Sequence, residues 1–168
     1  LGLRLEFTKR TYPRGKLAYT LMLTNRTSQP IVVCRAMQWV VDLYWEVRNS
    51  NGRPIEVWKS SFDHIDHTPI STGPAFWGSL APGSSISAQY QWSDHFRELP
   101  ETGGSVRVRF KYHPGLADIF LRNYGIAVWR GNVTSNWVVL QPEQGQVQVL
   151  GDWHTLEREV KAPFLRSP

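Results

Sequence analysis

Apolar and polar residues alternate with period two along most of this chain. Leu3, Leu5 and Phe7 alternate with Arg4 and Glu6, and Leu17, Tyr19, Leu21 and Leu23 alternate with Ala18, Thr20, Met22 and Thr24. Successive side chains of a strand point to opposite faces, so this pattern predicts strands with one face on a core and the other in water. Leu43, Trp45 and Val47 likewise oppose Asp42, Tyr44, Glu46 and Arg48 before the run closes at Asn49-Ser50-Asn51-Gly52. Asn-Gly suits the positive φ angles of a tight reversal, and Ile55 to Trp58 reads as the returning strand. Pro82-Gly83 marks another turn, after which Ile86, Ala88, Tyr90 and Trp92 alternate with Ser85, Ser87, Gln89 and Gln91. The clearest run follows Gly103-Gly104: Val106, Val108 and Phe110 face one way, Arg107, Arg109 and Lys111 the other. Residues 136 to 140 and 146 to 150 supply two further strands, separated by a turn over Pro142 to Gly145.

Seven to nine short strands with turn signals between them predict an all-β fold, an antiparallel β-sandwich or barrel with long loops. Helical spacing is sparse. Ser93 to Leu99 fits a single turn, Pro114 to Tyr124 a short helix, and Trp153, Leu156 and Val160 a C-terminal helix or tail capped by Asp152. The expected organisation is one sandwich domain over residues 1 to 150 and an extension over 151 to 168.

At 168 residues the chain suits one domain, and its 41% hydrophobic content excludes disorder. The single Cys34 excludes an internal disulfide framework. No apolar run is long enough for a transmembrane helix. The net charge of +5 is concentrated: Arg4, Lys9, Arg10, Arg14, Lys16 and Arg26 stand against Glu6 alone in the first 26 residues. With 19 basic and 14 acidic side chains in all, the rest of the chain balances at 13 each. A basic end of this kind suits an anionic membrane surface or an acidic partner, or else is a solvated sheet face. No helix gathers the basic residues, so nucleic acid is not an expected partner.

Candidate chemistry is limited. "FDHIDHTP" places Asp63, His64, Asp66 and His67 within one loop, with ligand types that suit zinc or copper. Such neighbours rarely complete a coordination sphere alone, and a water-satisfied polar loop is the favoured alternative, so no metal and no cofactor are expected. There is no GxSxG elbow, SxxK motif or phosphate loop. Cys34 follows Ile31-Val32-Val33 and reads as a buried, inert thiol. Asp42, Glu46 and Glu56 are carboxylates on outer strand faces, where a structural role outweighs glycoside chemistry. No catalytic residue is expected, and the chain reads as a non-enzyme.

Eight tryptophans exceed what one small core needs. Trp45 and Trp92 alternate inward with aliphatic neighbours. Trp58, Trp77, Trp129 and Trp153 fall at strand ends or in loops, where aromatic rings anchor partners or cover satellite cores. These four, with the Arg107, Arg109 and Lys111 face, are the candidate partner-binding residues.

The segments "LAYTLMLTNRTSQPIVV", "DLYWEVRNSNGRPIEVW", "LAPGSSISAQYQW" and "GNVTSNWVVL" together resemble bacterial immunoglobulin-like domains grouped with the BsuPI-type intracellular proteinase inhibitors. The resemblance spans about residues 3 to 140 and consists of strand and turn signatures, so it implies a fold more than an activity. It transfers no inhibitory residue to this chain, and residues 63 to 78 and 111 to 130 look enlarged beside it. The expected function is a non-catalytic binding or accessory subunit that docks on, and stabilises, a larger protein complex, which includes membrane complexes. The start at Leu1 rather than methionine fits a processed or anchored domain in an extracytoplasmic, periplasmic or secreted setting. Proteinase inhibition, implied by the resemblance, and carbohydrate binding through tryptophan rings are the alternatives.

Overall fold

A computed structural model of the chain describes residues 1–34, 43–55, 77–91, 99, 104–113 and 117–152. Its architecture is all-β and sandwich-like. A three-stranded antiparallel sheet runs in the order β1 (Gly2–Glu6), β3 (Ala18–Thr24), β7 (Ser85–Gln91). A larger sheet runs β2 (Thr11–Pro13), β11 (Gln146–Asp152), β10 (Val138–Glu143), β8 (Val106–Tyr112), β5 (Leu43–Asn49), with β9 (Val133–Thr134) continuing along β8. β4 (Ile31–Cys34) pairs with β6 (Trp77–Leu80), and α1 covers Ala117–Tyr124. The described residues thus hold eleven strands, because the three-residue β2 and two-residue β9 are too short to display a period.

Alternation sets which faces meet. Leu3 and Leu5 of β1, Tyr19, Leu21 and Leu23 of β3, Trp45 and Val47 of β5, and Val106, Val108, Phe110 and Tyr112 of β8 are all buried in one core. The two larger sheets touch through an aromatic cluster at its centre: Tyr19 lies 5.1 Å from both Trp45 and Phe110, and those two rings are 3.9 Å apart. Burying a side chain of that size contributes roughly 2–3 kcal/mol before the entropy of ordering it is subtracted.

The turns follow local chemistry with one change. Asn49 accepts from Gly52 N at 2.9 Å, and Gly52 takes φ +79°, so the hairpin after β5 closes where Asn51-Gly52 predicts. The hairpin after β10 is tighter than its sequence suggests. Pro142 is buried within β10 opposite Val147, and the reversal is confined to Gln144 and Gly145, with Gly145 at φ +75°. Proline is tolerated in a strand wherever the ladder needs no donor from it, which is why the expected four-residue turn shrinks.

Asn25, just beyond β3, is fully buried and satisfied. Its Nδ2 donates to Gln29 O and Leu80 O, and its Oδ1 accepts from the backbone and side chain of Thr27. Gly83 N donates to Asn25 O at 2.9 Å. One polar side chain therefore joins the end of β3 to the β6–β7 turn. The segments 93 to 98 and 153 to 168, with their helical expectations, and the returning strand beyond Ile55 lie outside the described residues.

Candidate functional site

The outer face of the large sheet collects the charged residues. Antiparallel register sets Glu46 opposite Arg109 and Arg48 opposite Arg107 across β5 and β8, while Lys111 stands two residues beyond Arg109. The Glu46 side chain is only 13% exposed. Arg48 donates Nε and Nη2 to its Oε1 at 2.8 and 2.6 Å. Arg109 Nε reaches Oε2 at 2.8 Å, and Lys111 Nζ lies 3.1 Å from the same oxygen. Burial alone would raise the pKa of this carboxyl, but the hydrogen bonds from Arg48, Arg109 and Lys111 and the Arg109 charge outweigh it and hold the pKa at about 2. Glu46 is therefore an anion in the folded protein at neutral pH and has no proton to donate.

A bulge brings an aromatic ring to this array. Lys111 pairs with Thr134 and Val108 with Val138, so three steps along β8 match four along the opposite strand. The extra residue falls between Ser135 and Trp137, and bulges of this kind re-aim side chains. Ser135 keeps the ladder closed: its N donates to Phe110 O, and its Oγ accepts from Phe110 N, both at 2.9 Å. Trp137 then lies beneath two guanidinium groups, with Arg109 Cζ 4.3 Å and Arg48 Cζ 5.8 Å from its ring. The arginines are thus held between a carboxylate and a π face, each contact fixing the plane of the guanidinium.

The expected tryptophan anchors divide differently. Trp77 sits at the start of β6, paired with Cys34, and is only 8% exposed, so its ring is not displayed at the surface as an anchor. Trp129 is half-buried, stacks on Tyr112 at 6.0 Å, and donates its backbone N–H to Val32 O at 2.8 Å. It clasps the β4 ribbon to the large sheet. A Cβ at Gly131 would come within 2.8 Å of the Trp129 ring, so glycine is needed for that packing. Trp58, Trp153 and Trp92, and likewise Asp63, His64, Asp66 and His67, lie outside the described residues, as do Asp42 and Glu56. Arg107, Arg109 and Lys111 share the outer face as their alternation predicts. Sequence reading passed over Trp137 and the role of Glu46; the run Trp137-Val138-Val139-Leu140 has no alternation that would single out the former.

A second feature lies on the three-stranded sheet. A cleft of about 350 Å³ is lined by Thr8, Ala18, Tyr19, Thr20, Gln89, Tyr90 and Gln91, and the Tyr90 ring stacks on Tyr19 at 5.6 Å on the core-facing side of β7. Among the described residues no helix is long and apolar enough to cross a membrane.

No protein-family model and no curated protein matches the chain. Among solved structures it is similar to a penta-heme cytochrome c552 from Thermochromatium tepidum, at 13% identity and a TM-score of 0.31, over 79% of this chain and 38% of that one. A likeness at that score bears on neither fold nor chemistry, and the chain spans well under half of that protein.

Proposed function

We propose that the domain is a non-catalytic binding or accessory subunit that docks on a larger protein assembly outside the cytoplasm and stabilises it. The observation that carries this reading is the Glu46-centred array: four cations and a tryptophan ring displayed on one outer sheet face, with Arg48 and Arg109 already held in position. Side chains ordered before binding lose less entropy on docking, and Arg and Trp are the residue types that most often dominate interface energies. The Glu46 carboxylate is committed to these cations, which favours binding over hydrolysis. The resemblance to BsuPI-type domains enters only as a shared framework of strands and turns.

The test is native mass spectrometry and gel filtration of the tagged protein isolated from its own host under mild detergent. It is expected in a complex larger than itself, and an Arg107→Glu/Lys111→Glu variant with unchanged circular dichroism is expected as a monomer. A wild-type protein isolated only as a monomer would overturn the proposal.

Carbohydrate binding is a second reading, favoured by the cleft along β3 and β7, whose lining includes the amides of Gln89 and Gln91 and the hydroxyls of Thr8 and Thr20 beside Tyr90. Sugar hydroxyls exchange hydrogen bonds with such groups. Perturbation of Tyr90 NMR signals by soluble polysaccharides, abolished in Tyr90→Ala, would support it.

A further inference from the structure

Among the described residues the outer face of β5 and β8 carries Arg48, Arg107, Arg109 and Lys111 against one carboxylate, Glu46. Arg107, Arg109 and Lys111 occupy every second position of one strand, so their Cα atoms recur about every 6.8 Å along β8. An extended peptide repeats its own side chains at that same interval. The row is also seen holding a carboxylate: Glu46 takes two nitrogens of Arg48 on one oxygen and Arg109 and Lys111 on the other. Lys111 remains 48% and Arg48 38% exposed while doing so, which leaves their charge accessible from solvent.

We infer that this row receives an extended acidic segment of a protein partner, with carboxylates at every second residue meeting Arg107, Arg109 and Lys111. The inference rests on the docking function proposed above and names the chemistry of that partner. Glu46 acts here as an internal occupant. It sets the guanidinium planes for carboxylates and, in doing so, competes with the incoming ones for Arg109 and Lys111. Trp137, lying under Arg109 and Arg48, keeps both guanidinium groups from collapsing onto the sheet when a second anion approaches. Because the charges recur along a single strand, a linear acidic chain matches them better than a compact anion does.

The probe is a fluorescein-labelled peptide of about eight residues alternating Glu and Thr, with an alternating Lys-Thr peptide as control, followed by fluorescence anisotropy. The wild-type chain is expected to bind the acidic peptide and not the basic one, with affinity falling several-fold between about 50 and 300 mM salt. Lys111→Gln is expected to weaken binding about three- to tenfold. Glu46→Gln is expected to strengthen it by a similar factor, because the internal competitor is neutralised while its shape is kept; a merely destabilised protein would not bind more tightly. Absence of binding, or an Glu46→Gln variant that binds more weakly while its thermal melt remains cooperative, overturns the inference. So does preferential binding to phosphatidylglycerol vesicles or to a single-stranded oligonucleotide, which would assign the row to a membrane or a nucleic acid. A host complex that survives in gel filtration despite failure of the peptide would leave the docking function standing and remove only this account of its partner.

Discussion

The side-chain amide of Asn136 pairs with both backbone groups of Leu5: its Oδ1 accepts from Leu5 N at 2.9 Å, and its Nδ2 donates to Leu5 O at 3.2 Å. Nδ2 also reaches Asp152 Oδ2 at 2.9 Å. One amide therefore imitates a strand partner on the outer edge of β1 and ties the small sheet to the bulge and end of the large one. An edge strand so occupied offers fewer free groups to another chain.

Asn136→Ala removes these bonds and leaves the Leu5 groups to water or to nothing. The expected loss is about 2–3 kcal/mol in urea denaturation. Asn136→Asp keeps the acceptor but sets a second carboxylate beside Asp152, so its deficit should be larger at pH 7 than at pH 4. Equal deficits at both pH values would show that Asp152 does not sense this position.

Asn25 is expected to be still less replaceable, since it is 0% exposed and every polar atom of its side chain is used. Asn25→Ala strands the Leu80 and Gln29 carbonyls and should cost about 2–4 kcal/mol, a drop of roughly 5–15 °C in Tm for a domain of this size. Thr27→Val, which removes only the hydroxyl, should cost about a third as much.

Glu46 makes stability depend on acid in a defined window. Its pKa is about 2 when folded against 4.5 ordinarily, so the folded state holds fewer protons between those values. The stabilisation is complete above pH 4.5 and is lost as pH falls toward 2. Because Arg48 and Lys111 are more than a third exposed, solvent screens part of it. Wild type should therefore lose about 1–2 kcal/mol more than Glu46→Gln across that window, measured by denaturant melts at each pH. Parallel curves for the two proteins would exclude a linked carboxylate at this site.

Gly83 separates space from conformation. A Cβ there would meet nothing within 4 Å, yet φ is +74°. Gly83→Ala should cost about 1 kcal/mol through backbone strain alone, and Gly83→Asn less, because asparagine tolerates this region better. A neutral alanine variant in thermal denaturation would show that the turn readily adopts another shape.

The residues that local chemistry controls were legible from the chain. β3 and β8, and Trp45 and Val47 of β5, bury the side chains their period two assigns inward, because the pleat sends alternate side chains to opposite faces whatever lies opposite. The turns at Gly52 and Gly83 follow from the low cost of positive φ at glycine. The outward parity of Arg107, Arg109 and Lys111 belongs to the same class.

What they touch does not. Glu46 and Arg109 are 63 residues apart, and only the antiparallel register of β5 on β8 sets them opposite. Trp137 comes under Arg109 because a single extra residue enters the strand beside β8, a shift that leaves no mark on composition or periodicity. Trp77 was a candidate partner-binding residue, and its burial could not be read from its neighbours along the chain. Alternation is a property of a strand taken alone and determines its faces. Strand order, register and bulges are properties of pairs of strands, and they alone decided which charges, rings and amides meet.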